Sequence, residues 1–173
     1  MARGRDGGRL NGYESEAWFD FGVGIVGAAA ALAGLLFVAI SINIERILAI
    51  PTLPSRAAGN LILFVLPILI GTWLLVPGQG TTVLGLELIV TGLACGGLLL
   101  WLIRPSNRSG EGTAFWLLGS LLPSVAITAL TVIGGTTLIT GSGGGLYWLA
   151  PAVVVAFATG LAGAWVLLVE ILR

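Results

Sequence analysis

The chain has 173 residues, of which 57% are hydrophobic and 9% are charged. Soluble domains carry about 25% charged residues, so this composition cannot supply the polar surface that a soluble fold needs. Eight basic residues balance eight acidic ones, and no net charge points to nucleic acid as a partner. The composition predicts an all-α membrane protein with no soluble domain, whose first partner is the lipid bilayer.

The first apolar run follows a polar, glycine-rich N-terminal tail, residues 1–16. It extends over 18–48, with no ionisable side chain between Asp20 and Glu45, and about 20 apolar residues suffice to cross a bilayer. Because it exceeds the roughly 7–15 residues of a signal-peptide core, we interpret it as a retained helix. Glycine, proline and polar turns divide the rest into four spans. The domain 17–173 is therefore predicted to be a compact bundle of five transmembrane helices, at about 18–48, 57–76, 81–103, 114–140 and 146–172.

Arginine marks the loops on one side of the predicted bundle. Arg46 and Arg56 separate the first two spans, Arg104 and Arg108 separate the third and fourth, and Arg173 ends the chain. The arginines of the tail lie far from the first span and are mixed with acidic residues. The positive-inside rule therefore predicts an external N-terminus and a cytoplasmic C-terminus.

The chain lacks the side chains that most catalysis needs. It contains no histidine, and all eight of its basic residues are arginine, so it has no lysine. Histidine is the commonest general base and metal ligand, and lysine forms Schiff bases and binds nucleotide phosphates. Its single cysteine, Cys95, excludes an intrachain disulfide and a cysteine metal cluster. The sequence predicts no enzyme and no catalytic, cofactor or metal site.

The first predicted helix carries a stripe of small and polar residues at spacings of four and three, which keeps them on one face. Four small residues near its middle are the predicted helix-packing surface, since small side chains let another helix approach closely. We call these four the seam: Gly24, Gly27, Ala31 and Gly34. The polar members Asp20, Ser41 and Glu45 are candidate functional residues. In the alternative interpretation several copies surround an axis, with Asp20 and Glu45 at the two mouths of a cation path.

Glu87 is the strongest candidate for a functional polar residue, because it lies inside the predicted third span. An ionisable side chain within the membrane is a functional-site hypothesis by default, and Thr91 shares its helical face one turn further on. One interpretation places Glu87 in an ion path. The other is a protonated or hydrogen-bonded carboxyl group that joins two helices or reaches the outer interface.

Hydroxyl groups recur on one face of the predicted fourth span. They belong to Ser120, Ser124, Thr128 and Thr131. Such a face can line an aqueous path, but serine and threonine also bond to carbonyls and between helices, and we favour packing. The fifth span has the small-residue repeat Ala152, Ala156, Gly160 and Ala164, which is typical of close helix crossings.

The stretch Gly27 to Leu48, GAAAALAGLLFVAISINIERIL, resembles the first helix of a group of small uncharacterised bacterial membrane proteins. Some of these are automatically labelled modulator of the FtsH protease. The resemblance implies a multi-pass protein of the bacterial inner membrane with no defined activity. Residues 82–85 and 100–101 also resemble Orai-type calcium channels, although that family has four spans and a basic extension before the first.

Two functions from different classes are expected. The first is a non-catalytic oligomeric or accessory, regulatory membrane subunit that acts through helix packing, as a homo-oligomer or in a larger membrane complex. The alternative is a homo-oligomeric channel for cations or small solutes, favoured by Glu87, the hydroxyl face and the acids of the first helix.

Overall fold

The computed structural model describes residues 12–103 and 116–172. Within these ranges the chain is helical and contains no strand. Five segments are long and apolar enough to cross a bilayer: Ser15–Ile42, Leu53–Leu74, Thr81–Leu102, Leu117–Thr140 and Gly145–Val169. The predicted all-α, five-span architecture is confirmed. The tail up to residue 11, the loop with Arg104 and Arg108, and Arg173 lie outside the described residues.

The described residues form six α-helices and three shorter helical turns. The α-helices are α1 Phe19–Ile42, α2 Ile44–Ala49, α3 Leu53–Leu74, α4 Thr81–Leu102, α5 Leu122–Thr140 and α6 Leu149–Leu172. Single 3-10 turns, Ser15–Trp18 and Gly145–Trp148, lead into α1 and α6. A π-helical turn, Leu117–Leu121, leads into α5 just before Pro123, whose ring removes a backbone donor from the helical ladder.

The first two spans differ from their predicted boundaries. α1 ends at Ile42, because Asn43 leaves helical geometry at φ −109° and ψ 19°, with its amide Nδ2 donating to the Ala39 carbonyl at 2.9 Å. Asparagine side chains compete with the helical ladder in this way. The predicted 18–48 helix is therefore broken, and Glu45 lies on the short α2. The second span begins at Leu53, since Pro54 is tolerated in the first turn, where its missing N–H costs no hydrogen bond.

Helices α3, α4, α5 and α6 form a ring in which each contacts the next, and α1 packs outside this ring, mainly on α3. The alternating chain direction places the starts of α3 and α5 at one end of the bundle. We call it the arginine end, because it carries Arg46 and Arg56 among the described residues. The opposite end is the glycine-turn end, with the connections at 75–80 and 141–144.

Glycines bring the backbones of neighbouring helices into direct contact. Between α4 and α5, a Cβ added to Gly135 would lie 2.6 Å from the carbonyl oxygen of Gly85. Between α1 and α3, a Cβ on Gly71 would lie 2.8 Å from the carbonyl oxygen of Gly22. In lipid, packing contact rather than the hydrophobic effect holds helices together. These glycines therefore set the closest approach of the helix pairs.

The small-residue repeat of the last span faces α3. Ala152 and Ala156 are fully buried, and a Cβ on Gly160 would lie 2.8 Å from the ring of Phe64. Phe64 is itself buried and forms a tilted ring pair with Phe157. The repeat is therefore an internal packing surface between α3 and α6.

The last residues of the predicted polar tail are docked on the glycine-turn end. The N–H of Leu146 donates to the Gly12 carbonyl at 2.8 Å, and the N–H of Gly144 donates to the Tyr13 hydroxyl at 2.9 Å. Gly144 has φ 110°, a left-handed conformation that aims its N–H outward at little cost for glycine. Composition alone gave no sign of this contact, because it joins two polar segments far apart in sequence.

We expect Gly135→Ala to destabilise the bundle by about 1–3 kcal/mol, because its new methyl group would overlap the Gly85 carbonyl. Gly97→Ala is the matched control, since no atom lies within 4 Å of a Cβ at this exposed position of α4. Thermal denaturation in mild detergent measures both variants. Equal melting temperatures for Gly135→Ala and Gly97→Ala would contradict the close α4–α5 contact.

Candidate functional site

The seam lies on the outward face of α1. All four of its residues are exposed, and no atom lies within 4 Å of a Cβ built on Gly24, Gly27 or Gly34. α1 packs on α3 through the opposite face, where its buried residues are Gly22, Ile25, Ala29 and Leu36. The described chain therefore leaves the seam uncovered.

The polar residues of the α1 stripe are exposed but do not form one cluster. Asp20 lies in the first turn of α1, which has 24 residues and is about 36 Å long, and Glu45 lies beyond its other end. Ser41 donates its hydroxyl to the Phe37 carbonyl at 2.8 Å. The stripe thus presents small residues along most of its length, with one carboxylate near each of its ends.

Glu87 is partly buried and accepts a hydrogen bond from the side-chain amide of Gln79, in the turn between α3 and α4. The other amide atom of Gln79, Oε1, is buried without a hydrogen-bond partner among the described residues. The Glu87 carboxyl group is therefore directed towards the connecting turn at the glycine-turn end. This geometry favours the hydrogen-bonded interpretation of Glu87 over an ion path through the protomer.

Thr91 lies one turn further along α4 than Glu87, is buried, and has a different hydrogen-bond partner. Its hydroxyl accepts a hydrogen bond from the indole Nε1 of Trp73 at 3.0 Å. The two side chains share a face of α4, as predicted from their spacing, but each is bound to its own partner from α3 or its following turn. Together these bonds join the two helices near the glycine-turn end.

The hydroxyl face of the fourth span packs against α4. Ser124, Thr128 and Thr131 each donate to the carbonyl four residues earlier, at 2.7, 2.7 and 2.8 Å. Thr131 lies against Gly92 and Thr128 against Gly96, while Ser120 supplies the carbonyl that Ser124 binds. The three donors are used within the helix, and Thr128 and Thr131 lie in the α4–α5 contact. This half of the face is therefore a packing surface, whereas Ser120 and Ser124 line a cavity.

A cavity of about 540 Å³ lies between the four ring helices at the arginine end. Its walls are mostly apolar, and its polar residues are Ser55, Arg56, Asn60, Ser120, Ser124 and Thr159. Ser120 and Ser124 were candidates from the sequence, whereas Arg56 and Asn60 were not recognised as a pair. The signal for them is an amide inside an apolar helix, four residues after a cation and so on the same helical face.

Among the described residues, no three of the side chains that bind metals are close enough to hold an ion. Comparison with known proteins finds no match to this chain among family models, curated proteins or solved structures. The resemblance of Gly27 to Leu48 to small bacterial membrane proteins therefore stays a prediction.

We expect Glu87→Leu to destabilise the protein by about 1–3 kcal/mol, because it leaves the part-buried amide of Gln79 without an acceptor. Glu87→Gln, which keeps an acceptor oxygen, should cost less. In a double-mutant cycle, Gln79→Leu with Glu87→Leu should destabilise less than the sum of the two single changes. Detergent melting curves measure all four proteins, and strict additivity would contradict the hydrogen bond.

Proposed function

We propose that this protein is a non-catalytic membrane subunit that acts by helix packing, either in a homo-oligomer or as an accessory, regulatory component of a larger membrane complex. The observation that carries the proposal is the exposed seam on α1. Its location would be a bacterial inner membrane with the N-terminus outside, supported by the resemblance of α1 and by the arginines at one end of the bundle.

The contrast between glycines inside and outside the bundle supports this proposal. Gly85 and Gly135 are in contact with each other, whereas Gly24, Gly27 and Gly34 face open space. A row of small residues on a helix makes a shallow groove that lipid chains fill poorly and another helix fills well. The seam thus consists of small residues, like the glycine contacts inside the bundle, but no helix of the described chain packs against it.

The polar chemistry of the spans also supports a packing role. The hydroxyls of Thr91, Thr128 and Thr131 take part in hydrogen bonds, and Glu87 is bound by Gln79. Groups occupied in this way stabilise the bundle and do not provide a nucleophile with an adjacent base. The absence of histidine and lysine from the sequence agrees with a non-catalytic protein.

A channel is the second candidate, and one observation favours it: Asp20 and Glu45 are exposed near the two ends of the outward α1 stripe. Since Thr128 and Thr131 of the hydroxyl face pack against α4, we place a pore between copies, with the seam towards a shared axis. Rings of carboxylates at its mouths would attract cations. Because Asn43 interrupts the helix before Glu45, the ring of Glu45 carboxylates would be carried by α2.

The oligomer proposal predicts that Gly27→Leu with Gly34→Leu will fill the seam and release the partner. The measurement is the protein mass in mild detergent by light scattering coupled to size exclusion. Gly97→Leu is the control, because it adds the same side chain at an exposed glycine away from the seam. We expect the seam variant to lose its associated copies or partner and the control to keep them. Unchanged association of the seam variant would contradict the proposal.

Cation flux separates the two candidates. As a packing subunit, the purified protein in liposomes should give no flux above that of empty liposomes, and Asp20→Asn should change nothing. Cation flux that falls with Asp20→Asn but not with Glu87→Gln would instead establish the channel and reject the non-conducting subunit.

A further inference from the structure

The short helix α2 joins α1 to α3 at the arginine end and has two unlike sides. Ile44, Ile47 and Leu48 are three and four residues apart and therefore share one side, whereas Glu45 and Arg46 lie on the other. Ile47 is 2% exposed, but Leu48 is 66% exposed and Ile44 is 44% exposed. The apolar side of α2 is thus only partly covered by the described chain.

Ile47 fixes α2 on the bundle. Its side chain belongs to a buried apolar cluster that includes Leu53 and Ala57 of α3. The N–H of Ile47 also donates to the Asn43 carbonyl at 3.0 Å, so the first turn of α2 begins at the residue that ends α1. Because one face of α2 is held in this way, its exposed apolar residues have a defined position beside the bundle.

The lengths of the neighbouring spans place α2 beyond the hydrocarbon core of a bilayer. α1 has 24 residues and α3 has 22, which at 1.5 Å per residue gives about 36 and 33 Å. The hydrocarbon core is about 30 Å thick, and the two headgroup layers bring the bilayer to about 40–45 Å. Each span is therefore long enough to cross the core without α2, which leaves α2 the headgroup layer, roughly 5–8 Å deep on each side.

The two sides of α2 have different demands in that layer. Removal of apolar surface from water is favourable, and Ile42 and Ile50, which flank α2, are exposed together with Ile44 and Leu48. A helix with an apolar side and a charged side lies in the plane of the membrane interface, with its apolar side towards the acyl chains. The acidic and basic side chains of α2 then stay among headgroups and water.

We propose that α2 is an interfacial anchor whose partner is the lipid interface at the arginine end. Ile44 and Leu48 insert between the acyl chains next to the headgroups, and Glu45 faces the aqueous side. Ile47 in the bundle and Leu48 in lipid together set the depth and the rotation of this end of α1. This assignment is independent of what occupies the seam.

Spin labels on the full chain in lipid vesicles measure the surroundings of α2. Cys95→Ala removes the single cysteine, and Ile44→Cys, Leu48→Cys, Glu45→Cys or Ala49→Cys then supplies one labelling site at a time. Power saturation compares collisions of the label with oxygen, which concentrates among acyl chains, and with a water-soluble nickel chelate. We expect the oxygen-to-nickel ratio to be higher at positions 44 and 48 than at positions 45 and 49.

A reference label in the last span calibrates the ratio. Leu161→Cys lies at an exposed position near the middle of α6 and reports on a label surrounded by acyl chains. Melting curves in mild detergent verify that the Cys95→Ala parent and each labelled protein are folded.

Three outcomes would overturn the proposal. Nickel collisions that dominate at all four α2 positions would place α2 in water. Oxygen collisions that dominate at all four, at the level of Leu161→Cys, would place α2 inside the hydrocarbon core. Few collisions of either kind at positions 44 and 48 would show that a second copy of the chain, and not lipid, covers this side of α2.

Discussion

The contact on which this bundle depends is the meeting of helix backbones at glycine. Lipid chains are as apolar as leucine, so burying apolar side chains gives little preference for protein over lipid, and close packing must hold the helices. The Gly85–Gly135 contact brings α4 and α5 together, and Gly22 with Gly71 brings α1 onto α3. Because these contacts remove the space for a Cβ, they fix which helix faces meet. The bonds from Gln79 to Glu87 and from Trp73 to Thr91 join a third pair, α3 and α4.

One face of the described chain departs from this pattern of occupied contacts. The seam has the small residues of an interface, and no helix of the described chain lies against it. A row of small side chains makes a shallow groove, and another helix fills such a groove better than lipid chains do. We therefore assign a protein partner to the seam.

The sequence was sufficient for the features that depend on periodicity and composition. Apolar length predicted five spans. Spacings of four and three predicted the α1 seam and the hydroxyl face, and a spacing of four predicted the α6 repeat, each on one helical face. It was insufficient where the outcome depends on a single side chain or on distant segments. Asn43 breaks the first helix by bonding to Ala39, and Gly12 docks on Leu146 across the whole chain. Whether a small-residue face packs inside or stays outside is also a property of the three-dimensional arrangement: the α6 repeat is buried and the α1 seam is exposed.

The most direct measurement of the central claim compares two adjacent alanines on α1. Ala30 and Ala31 are both exposed, but only Ala31 belongs to the seam, and a small diazirine amino acid at either site leaves the groove nearly unchanged. After irradiation of native membranes, we expect Ala31 to cross-link to one defined protein, either a second copy or one partner, and Ala30 to react mainly with lipid. Equal protein cross-linking from both positions, or lipid adducts alone from both, would contradict the assignment of the seam as an interface.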